Sequence, residues 1–176
     1  MNHNIVKHCL VILLIMMIFS ACSSTEKIKK SLVETKPLAK DNFISSPFGY
    51  EPTIKNFSTY LPSSYKQQIY TTKNKYYSNI TDSIFRFYHK KNELFVYKTN
   101  SKRELFVAGN IYDSRIVLHN GVKVGMNRSD FFKCFNDLKF NAKDTLRMTS
   151  KQAGNSYNFI FKNDKLKAIK IDNYID

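Results

Sequence analysis

The predicted domain is organised around one segment, Asn120-Gly121-Val122-Lys123-Val124-Gly125-Met126-Asn127-Arg128-Ser129-Asp130-Phe131-Phe132-Lys133-Cys134-Phe135. Its first two residues tolerate positive φ and are typical of a tight hairpin turn between short apolar strands. Gly125 then ends the second strand, and Asn127 is a suitable N-cap for a helix. Phe131 and Phe135 fall on one helical face, either as core residues or as a ligand-binding stripe.

The same order of elements is predicted twice within residues 47–176. The apolar spacing around Phe57 matches that around Phe131, and two later hairpins share the pattern aromatic, polar turn, leucine at a similar offset. We therefore expect an α+β fold with an antiparallel sheet of about 6–8 strands and two helices on one face. The repeats would span residues 52–112 and 125–176. Chance similarity between the two hairpins is the alternative.

The N-terminus is typical of a secretory leader. Lys7 and His8 precede an apolar run that is too short for a typical transmembrane helix, and Phe19-Ser20-Ala21-Cys22 follows. These four residues resemble the lipobox of bacterial lipoproteins. The resemblance implies that residues 1–21 are removed as a signal peptide and that Cys22 is acylated. An ordinary secretory leader with an incidental cysteine is the alternative.

The lipobox-like motif also predicts where in the cell the protein is located. Acyl chains on Cys22 would hold it at a membrane of the bacterial cell envelope. Ser23 stands where an aspartate would suggest retention at the inner membrane, so we expect the outer membrane, facing the periplasm. Residues 22–46 are rich in Ser, Thr and Lys and are predicted to form a flexible tether before the domain at residues 47–176.

The composition predicts anionic partners. The chain carries a formal charge of +14 and is 14% aromatic, and a basic surface attracts acidic proteins, lipid headgroups or nucleic acid. The leader argues against nucleic acid. Basic and aromatic residues alternate in the predicted strands, and such residues are favoured at interfaces. The predicted binding residues are Tyr70, Tyr76, Tyr77, Arg86, Tyr88 and Lys90. The alternative is a strand with one face in the core and one in water.

The sequence contains no motif for catalysis, a metal or a cofactor. Cys9 would leave with the leader and Cys22 would be acylated, so Cys134 has no disulfide partner and is either a buried inert thiol or a reactive one. His89 and His119 lie in separate predicted strands, without the spacing of metal ligands. We therefore expect no catalytic residue, no metal site and no cofactor.

Two motifs carry a family resemblance. Gly125-Met126-Asn127-Arg128-Ser129-Asp130-Phe131 and Phe159-Ile160-Phe161-Lys162-Asn163-Asp164-Lys165-Leu166 resemble the helix start and the closing hairpin of small outer-membrane assembly lipoproteins of the SmpA/OmlA type. The tandem helix-plus-strands order resembles the β-lactamase-inhibitor-protein fold. The resemblance implies a binding or scaffold module in which Gly121, Gly125, Asn127, Phe131 and Phe135 are structural.

Three functions remain open from the sequence. The first is a non-catalytic envelope lipoprotein that binds another envelope protein through an open sheet face or a strand edge. The second is a periplasmic inhibitor or immunity protein acting against an enzyme or toxin. The third is an enzyme acting on envelope polymers, which would need a deep pocket where His119, Asp113 and Arg115 converge. Asp82 and Asp113 are otherwise interpreted as turn or cap residues. The sequence does not fix the oligomeric state.

Overall fold

The computed structural model describes residues 36–150 and 154–173. The predicted signal peptide and Cys22 lie outside these residues. The described helices are α1 (Lys40–Ser45), α2 (Ile54–Tyr60) and α3 (Arg128–Lys133), with a 3₁₀ turn at His119–Gly121. The strands are β1 (Lys66–Lys73), β2 (Thr81–His89), β3 (Asn92–Lys98), β4 (Glu104–Ile111), β5 (Thr145–Thr149), β6 (Ser156–Lys162) and β7 (Lys165–Asp172).

All seven strands form one antiparallel sheet in the order β1-β2-β3-β4-β7-β6-β5. Strands β1 to β4 follow one another as neighbours, and so do β5 to β7. The two groups meet where β4 pairs with β7. The predicted α+β class and the antiparallel sheet are confirmed.

The three described helices pack on the same face of the sheet. The ring of Phe43 in α1 lies 5.9 Å from that of Phe159 in β6, and Phe131 in α3 lies 4.8 Å from the same ring. Phe57 in α2 lies 5.5 Å from Phe87 in β2. The sheet register places Phe87 and Phe159 on one side. The sequence predicted two helices on this face, and α1 is the third.

The aromatic residues of α3 and its flank are core residues. Phe131 is fully buried and Phe135 is 5% exposed. The Phe135 ring packs edge-on against Phe43 at 5.3 Å between centroids. Since burying one aromatic side chain removes 150–250 Å² or so from water, roughly 25 cal/mol per Å² makes each a major contributor to stability. The alternative of a ligand-binding stripe is therefore wrong for these two residues.

The hairpin predicted at Asn120-Gly121 is only partly correct. Both residues have positive φ, 59° and 78°, and Leu118 donates its N–H to the carbonyl of Val122 at 2.7 Å. The flanking segments share only an isolated bridge and do not join the sheet. Their alternating apolar side chains are buried against the core. The alternation of apolar and polar residues therefore comes from a loop that buries every second side chain, and the segment is not a strand of the sheet.

Helix α3 is shorter than its apolar pattern predicts. It ends at Lys133, and the carbonyl of Cys134 accepts the N–H of Leu38 at 2.9 Å instead of a helix N–H. Asn127 stands at the N-cap position, but its side chain accepts no helix N–H and instead approaches Asp130 at 3.4 Å. The predicted side-chain cap is therefore not formed.

Part of the predicted tether belongs to the domain. The composition predicts that residues 22–46 are unpacked, yet Leu38 forms a backbone bridge beside the end of α3, and α1 follows at once. Phe43 is fully buried and Ile44 is 3% exposed. The polar composition of this segment conceals two consecutive apolar side chains, which are too few to give a helical period. The domain therefore begins before residue 47, while residues 22–35 lie outside the described chain.

The order of elements resembles a repeat, with α2 before β1–β4 and α3 before β5–β7. Phe57 and Phe131, the matched helix residues, are both fully buried. The first group has four strands and the second has three. Duplication of one ancestral unit stays a prediction.

Candidate binding face

The face of the sheet opposite the helices is not covered by any described helix, and we call it the open face. Its centre lies on β1 to β4, where the register aligns alternate side chains that point away from the core. These side chains are Tyr70, Ile84, Arg86, Tyr88, Glu93, Phe95, Tyr97, Leu105 and Asn110. Tyr70 is 40% exposed, and the other side chains of this set are half-buried. The face is therefore rich in aromatic and aliphatic groups that remain in contact with water.

A row of polar groups crosses the middle of the open face. The Arg86 guanidinium bonds the carboxylate of Glu93 at 3.0 and 3.2 Å, and Glu93 also accepts a hydrogen bond from Asn110 at 3.0 Å. The Arg86 guanidinium also donates a hydrogen bond to the Tyr70 side chain, and this contact raises the pKa of Arg86. Arg86 also lies 4.7 Å from the ring of Tyr88. This row links all four strands and holds its side chains in one arrangement.

Three of the six predicted binding residues, Tyr70, Arg86 and Tyr88, are therefore together on the open face. The other three are not with them. Tyr76 and Tyr77 lie in the β1–β2 loop and are 64% and 63% exposed. Lys90 lies in the two-residue turn at the other end of β2, with φ of 54°. The predicted set is thus spread along the whole length of the β1–β2 hairpin and does not form one patch.

The β1–β2 loop is anchored by a buried carboxylate. Asp82 is 1% exposed and accepts hydrogen bonds from the Tyr97 hydroxyl, the Asn74 side chain and the Asn100 N–H. The bond from Tyr97 is the main reason why the pKa of Asp82 is lowered, and it raises the pKa of Tyr97 to about 12. The interpretation of Asp82 as a strand-end residue that fixes a turn is consistent with these contacts. Asp113 lies at the other end of β2, so the two acids do not pair.

A cavity of about 380 Å³ lies between this loop and the open face. Ile84, Tyr97 and Leu105 form its apolar floor, while Lys73 and Arg103 supply positive charge at its wall. This arrangement favours an apolar group that carries or adjoins a negative charge.

The opposite end of β2 holds a more open cleft of about 630 Å³ lined by His89, Lys90, Lys91, Asp113 and Arg115 among others. Arg115 pairs with Asp113 at 2.7 Å, and this contact lowers the pKa of the carboxyl. His119 is absent from the cleft because its ring bonds the carbonyl of Ser46 at 2.9 Å. His119 therefore does not converge with Asp113 and Arg115 in one pocket, and the arrangement that the enzyme hypothesis required is not formed. A carboxylate held in an ion pair is also a weak proton acceptor.

Cys134 is the one cysteine among the described residues, and it is half-buried beside α3. Burial raises the pKa of its thiol, and the carboxylate of Asp130 adds to the effect. Its Sγ lies 3.3 Å from the Asp130 carbonyl. These surroundings disfavour the thiolate, as the prediction of an inert thiol requires.

The sequence reasoning missed Phe95 and Tyr97. They alternate with buried Leu94 and Val96 in β3. A strand that is apolar on both faces is a signal for burial on both sides or for an exposed apolar patch. Here the helices cover only one side, so Phe95 and Tyr97 remain at the surface.

Within residues 36–150 and 154–173, no helix is long and apolar enough to cross a membrane. The same residues contain no group of three or more His, Cys, Asp or Glu side chains placed to hold a metal ion. Comparison with protein families, with curated proteins and with solved structures finds no match to this chain. The resemblance to SmpA/OmlA-type lipoproteins and to the β-lactamase-inhibitor-protein fold therefore stays a prediction.

Proposed function

We propose that this chain is a lipid-anchored protein of the bacterial cell envelope whose open face binds another protein, and that it catalyses no reaction. The anchor would be an acylated Cys22, placed by the lipobox-like residues Phe19-Ser20-Ala21-Cys22. We expect the outer membrane, with the domain facing the periplasm.

One observation carries the binding role. Aromatic and aliphatic side chains of the open face surround an ordered polar row, and no described helix covers them. Tyrosine and arginine at the centre of such a surface are the residues most often responsible for binding energy. Because the row of Tyr70, Arg86 and Glu93 is already hydrogen-bonded, a partner would meet it with little loss of side-chain entropy.

The charges of the open face indicate an acidic partner. Lys66, Arg147 and Lys170 are exposed on this face, whereas Asp172 is the one exposed acid among its described residues. Glu93 is already paired with Arg86. An acidic protein would be attracted by this face and by the net charge of +14.

The proposal is tested by crosslinking in native membranes, with the lipidated full chain as bait and mass spectrometry as the readout. The test variant is Tyr88→Ser combined with Phe95→Ser, which removes two aromatic rings from the open face. Tyr60→Ser is the matched control, because Tyr60 is 62% exposed on α2, on the other side of the sheet. Cys22→Ala removes the predicted anchor, and incorporation of labelled palmitate reports acylation directly.

The proposal expects one acidic envelope protein that is recovered with the native chain and with Tyr60→Ser but is lost with the open-face variant. Equal recovery with the open-face variant would refute this face as the binding site. Recovery of a soluble hydrolase or toxin, inactivated on binding, would replace the scaffold role with that of an inhibitor or immunity protein. Equal membrane association and no palmitate label at Cys22 would refute the anchor.

A further inference from the structure

Within the part of the chain that the structure describes, strand β1 forms one edge of the sheet and no other strand pairs with its outer side. Among the described residues it pairs only with β2, and its eight residues are exposed except for half-buried Thr72. The six central residues, Gln67-Gln68-Ile69-Tyr70-Thr71-Thr72, carry no charge. Ile69 is 55% exposed and Tyr70 is 40% exposed.

The backbone of β1 presents a row of hydrogen-bonding groups to water. Asn74 donates its N–H to the carbonyl of Ile80 at 2.9 Å, which continues the β1–β2 register by one pair. In an antiparallel ladder the bonded residues alternate. Even-numbered residues of β1 therefore face β2, while Gln67, Ile69, Thr71 and Lys73 turn their N–H and C=O groups toward the free edge.

The devices that usually protect an edge strand are missing from β1. Proteins block exposed edges with proline, bulges, very short strands or charged side chains, and β1 carries charges only at its two ends, at Lys66 and Lys73. The β1–β2 register runs without a shift, and the strand contains no proline. The other edge differs, since β5 has five residues with Arg147 at its centre and contacts α1. Only one of the two edges is thus suited to accept another strand.

We propose that the β1 edge binds an extended segment of an acidic partner protein as an eighth strand of the sheet, with an acidic residue opposite each of Lys66 and Lys73 and uncharged residues between them. This inference rests on the proposed protein-binding function and names how the partner is held. The added strand would continue the open face beside Tyr70 and would cover Ile69 on the other side.

Charge decides between a partner and a second copy of this chain. Two β1 strands paired antiparallel must place edge-facing residues opposite one another, for example Ile69 opposite Ile69 of the second copy. That register brings Lys66 of each copy within one position of Lys73 of the other, so like charges gather at both ends of the pairing. Each copy also carries a net charge of +14, which opposes self-association. An acid-ended segment meets the same lysines with favourable charge and leaves the uncharged centre to form the ladder.

The experiment measures binding of labelled eight-residue capped peptides to the full-length protein by fluorescence anisotropy. The first peptide has aspartate at both ends and alternating threonine and valine between them. The second has the same sequence with N-methyl groups on the amides that would face β1, and the third has lysine at both ends. Amide chemical shifts locate the bound peptide on the protein.

The protein variants are Ile69→Pro, which removes an edge-facing N–H in a conformation that an edge strand tolerates, and Ile69→Ala, which keeps the N–H. We expect the acid-ended peptide to bind about tenfold more weakly to Ile69→Pro, the loss that one or two hydrogen bonds produce. Ile69→Ala should retain binding within about threefold, since only side-chain contact is lost. The double variant Lys66→Glu, Lys73→Glu should prefer the lysine-ended peptide.

If Ile69→Pro does not fold, the N-methyl peptide tests the same ladder on the unaltered protein, because it lacks the N–H groups that would donate to carbonyls of β1; it should bind at least about tenfold more weakly than the first peptide. Equal binding of these two peptides would overturn the proposal. Dimerisation of the protein alone that Ile69→Pro abolishes would also overturn it, in favour of a second copy. The assay uses no native partner, so it can fail while the open-face variants still lose their partner in membranes.

Discussion

Replacing Phe43 by alanine tests whether α1 is part of the folded domain. Phe43 is fully buried, and its ring contacts Phe135, Tyr157 and Phe159 at centroid distances of 5.3, 6.1 and 5.9 Å. Removing about 200 Å² of apolar burial costs about 5 kcal/mol at roughly 25 cal/mol per Å². The alanine retains its Cβ, and Phe→Ala changes in cores cost about 3–5 kcal/mol. We expect a loss of about 4 kcal/mol in the free energy of unfolding.

The assay is urea unfolding of residues 22–176 carrying Cys22→Ala, followed by circular dichroism. A loss of this size is a large share of the 5–15 kcal/mol or so that a domain possesses, and it should lower Tm by roughly 10 °C. Phe140→Ala is the control, because Phe140 is 64% exposed and should cost below about 1 kcal/mol. Equal effects of Phe43→Ala and Phe140→Ala would refute the docking of α1. They would support the prediction that all of residues 22–46 form an unpacked tether.

Three further predictions concern other parts of the domain. Asp82 has a lowered pKa, so its contribution to the free energy of unfolding is fully present above the unfolded pKa of about 3.9 and is lost as pH falls through the lower folded value. Asp82→Asn should therefore flatten the acid limb of the stability–pH curve, whereas exposed Asp41→Asn should not. Gly109→Ala should cost about 1–3 kcal/mol in urea unfolding, because the new Cβ would lie 2.7 Å from Cδ2 of buried Leu94. Cys134, whose thiol pKa is raised, should react with a disulfide reagent at pH 8 at least about tenfold more slowly in the native Cys22→Ala protein than in urea.

Each of these predictions has a clear contrary outcome. Parallel stability–pH curves for Asp82→Asn and the native chain would mean that the carboxylate network contributes nothing below neutral pH. An unchanged urea midpoint for Gly109→Ala would show that Leu94 moves aside without cost. Equal thiol reactivity in native and unfolded protein would place Cys134 at the surface.

The β2–β3 hairpin shows which parts of the fold the sequence predicts well. Its two strands are continuous β-forming runs, and the short polar connection between them allows one pairing only. Helix α1 could not be found in the same way. Its two apolar residues, Phe43 and Ile44, form no periodic run, and their partners lie far away in the sequence. A pattern within a window of residues carries no information about such contacts.

The candidate site on the open face could be predicted only where it depends on contacts between consecutive strands. Tyr70, Arg86 and Tyr88 are brought together because β1 and β2 are consecutive strands whose register follows from one hairpin. Tyr76 and Tyr77 were grouped with them by composition, but they lie in the loop. Phe95 and Tyr97 were not singled out, because their exposure depends on which face the helices cover. That choice is made by packing across the whole domain.

If the chain is exported as we propose, the position of α1 also sets an order of events as the chain emerges N-terminus first. Phe43 packs against Phe159, and the carbonyl of Ile44 accepts a hydrogen bond from Tyr157, 113 residues later. The first of the described helices therefore lacks its partners in the centre of the sheet until β6 has followed it. Contacts between such distant residues slow folding and leave apolar groups exposed meanwhile. The domain would thus stay open, and accessible to a chaperone or a modifying enzyme, until translocation is almost complete.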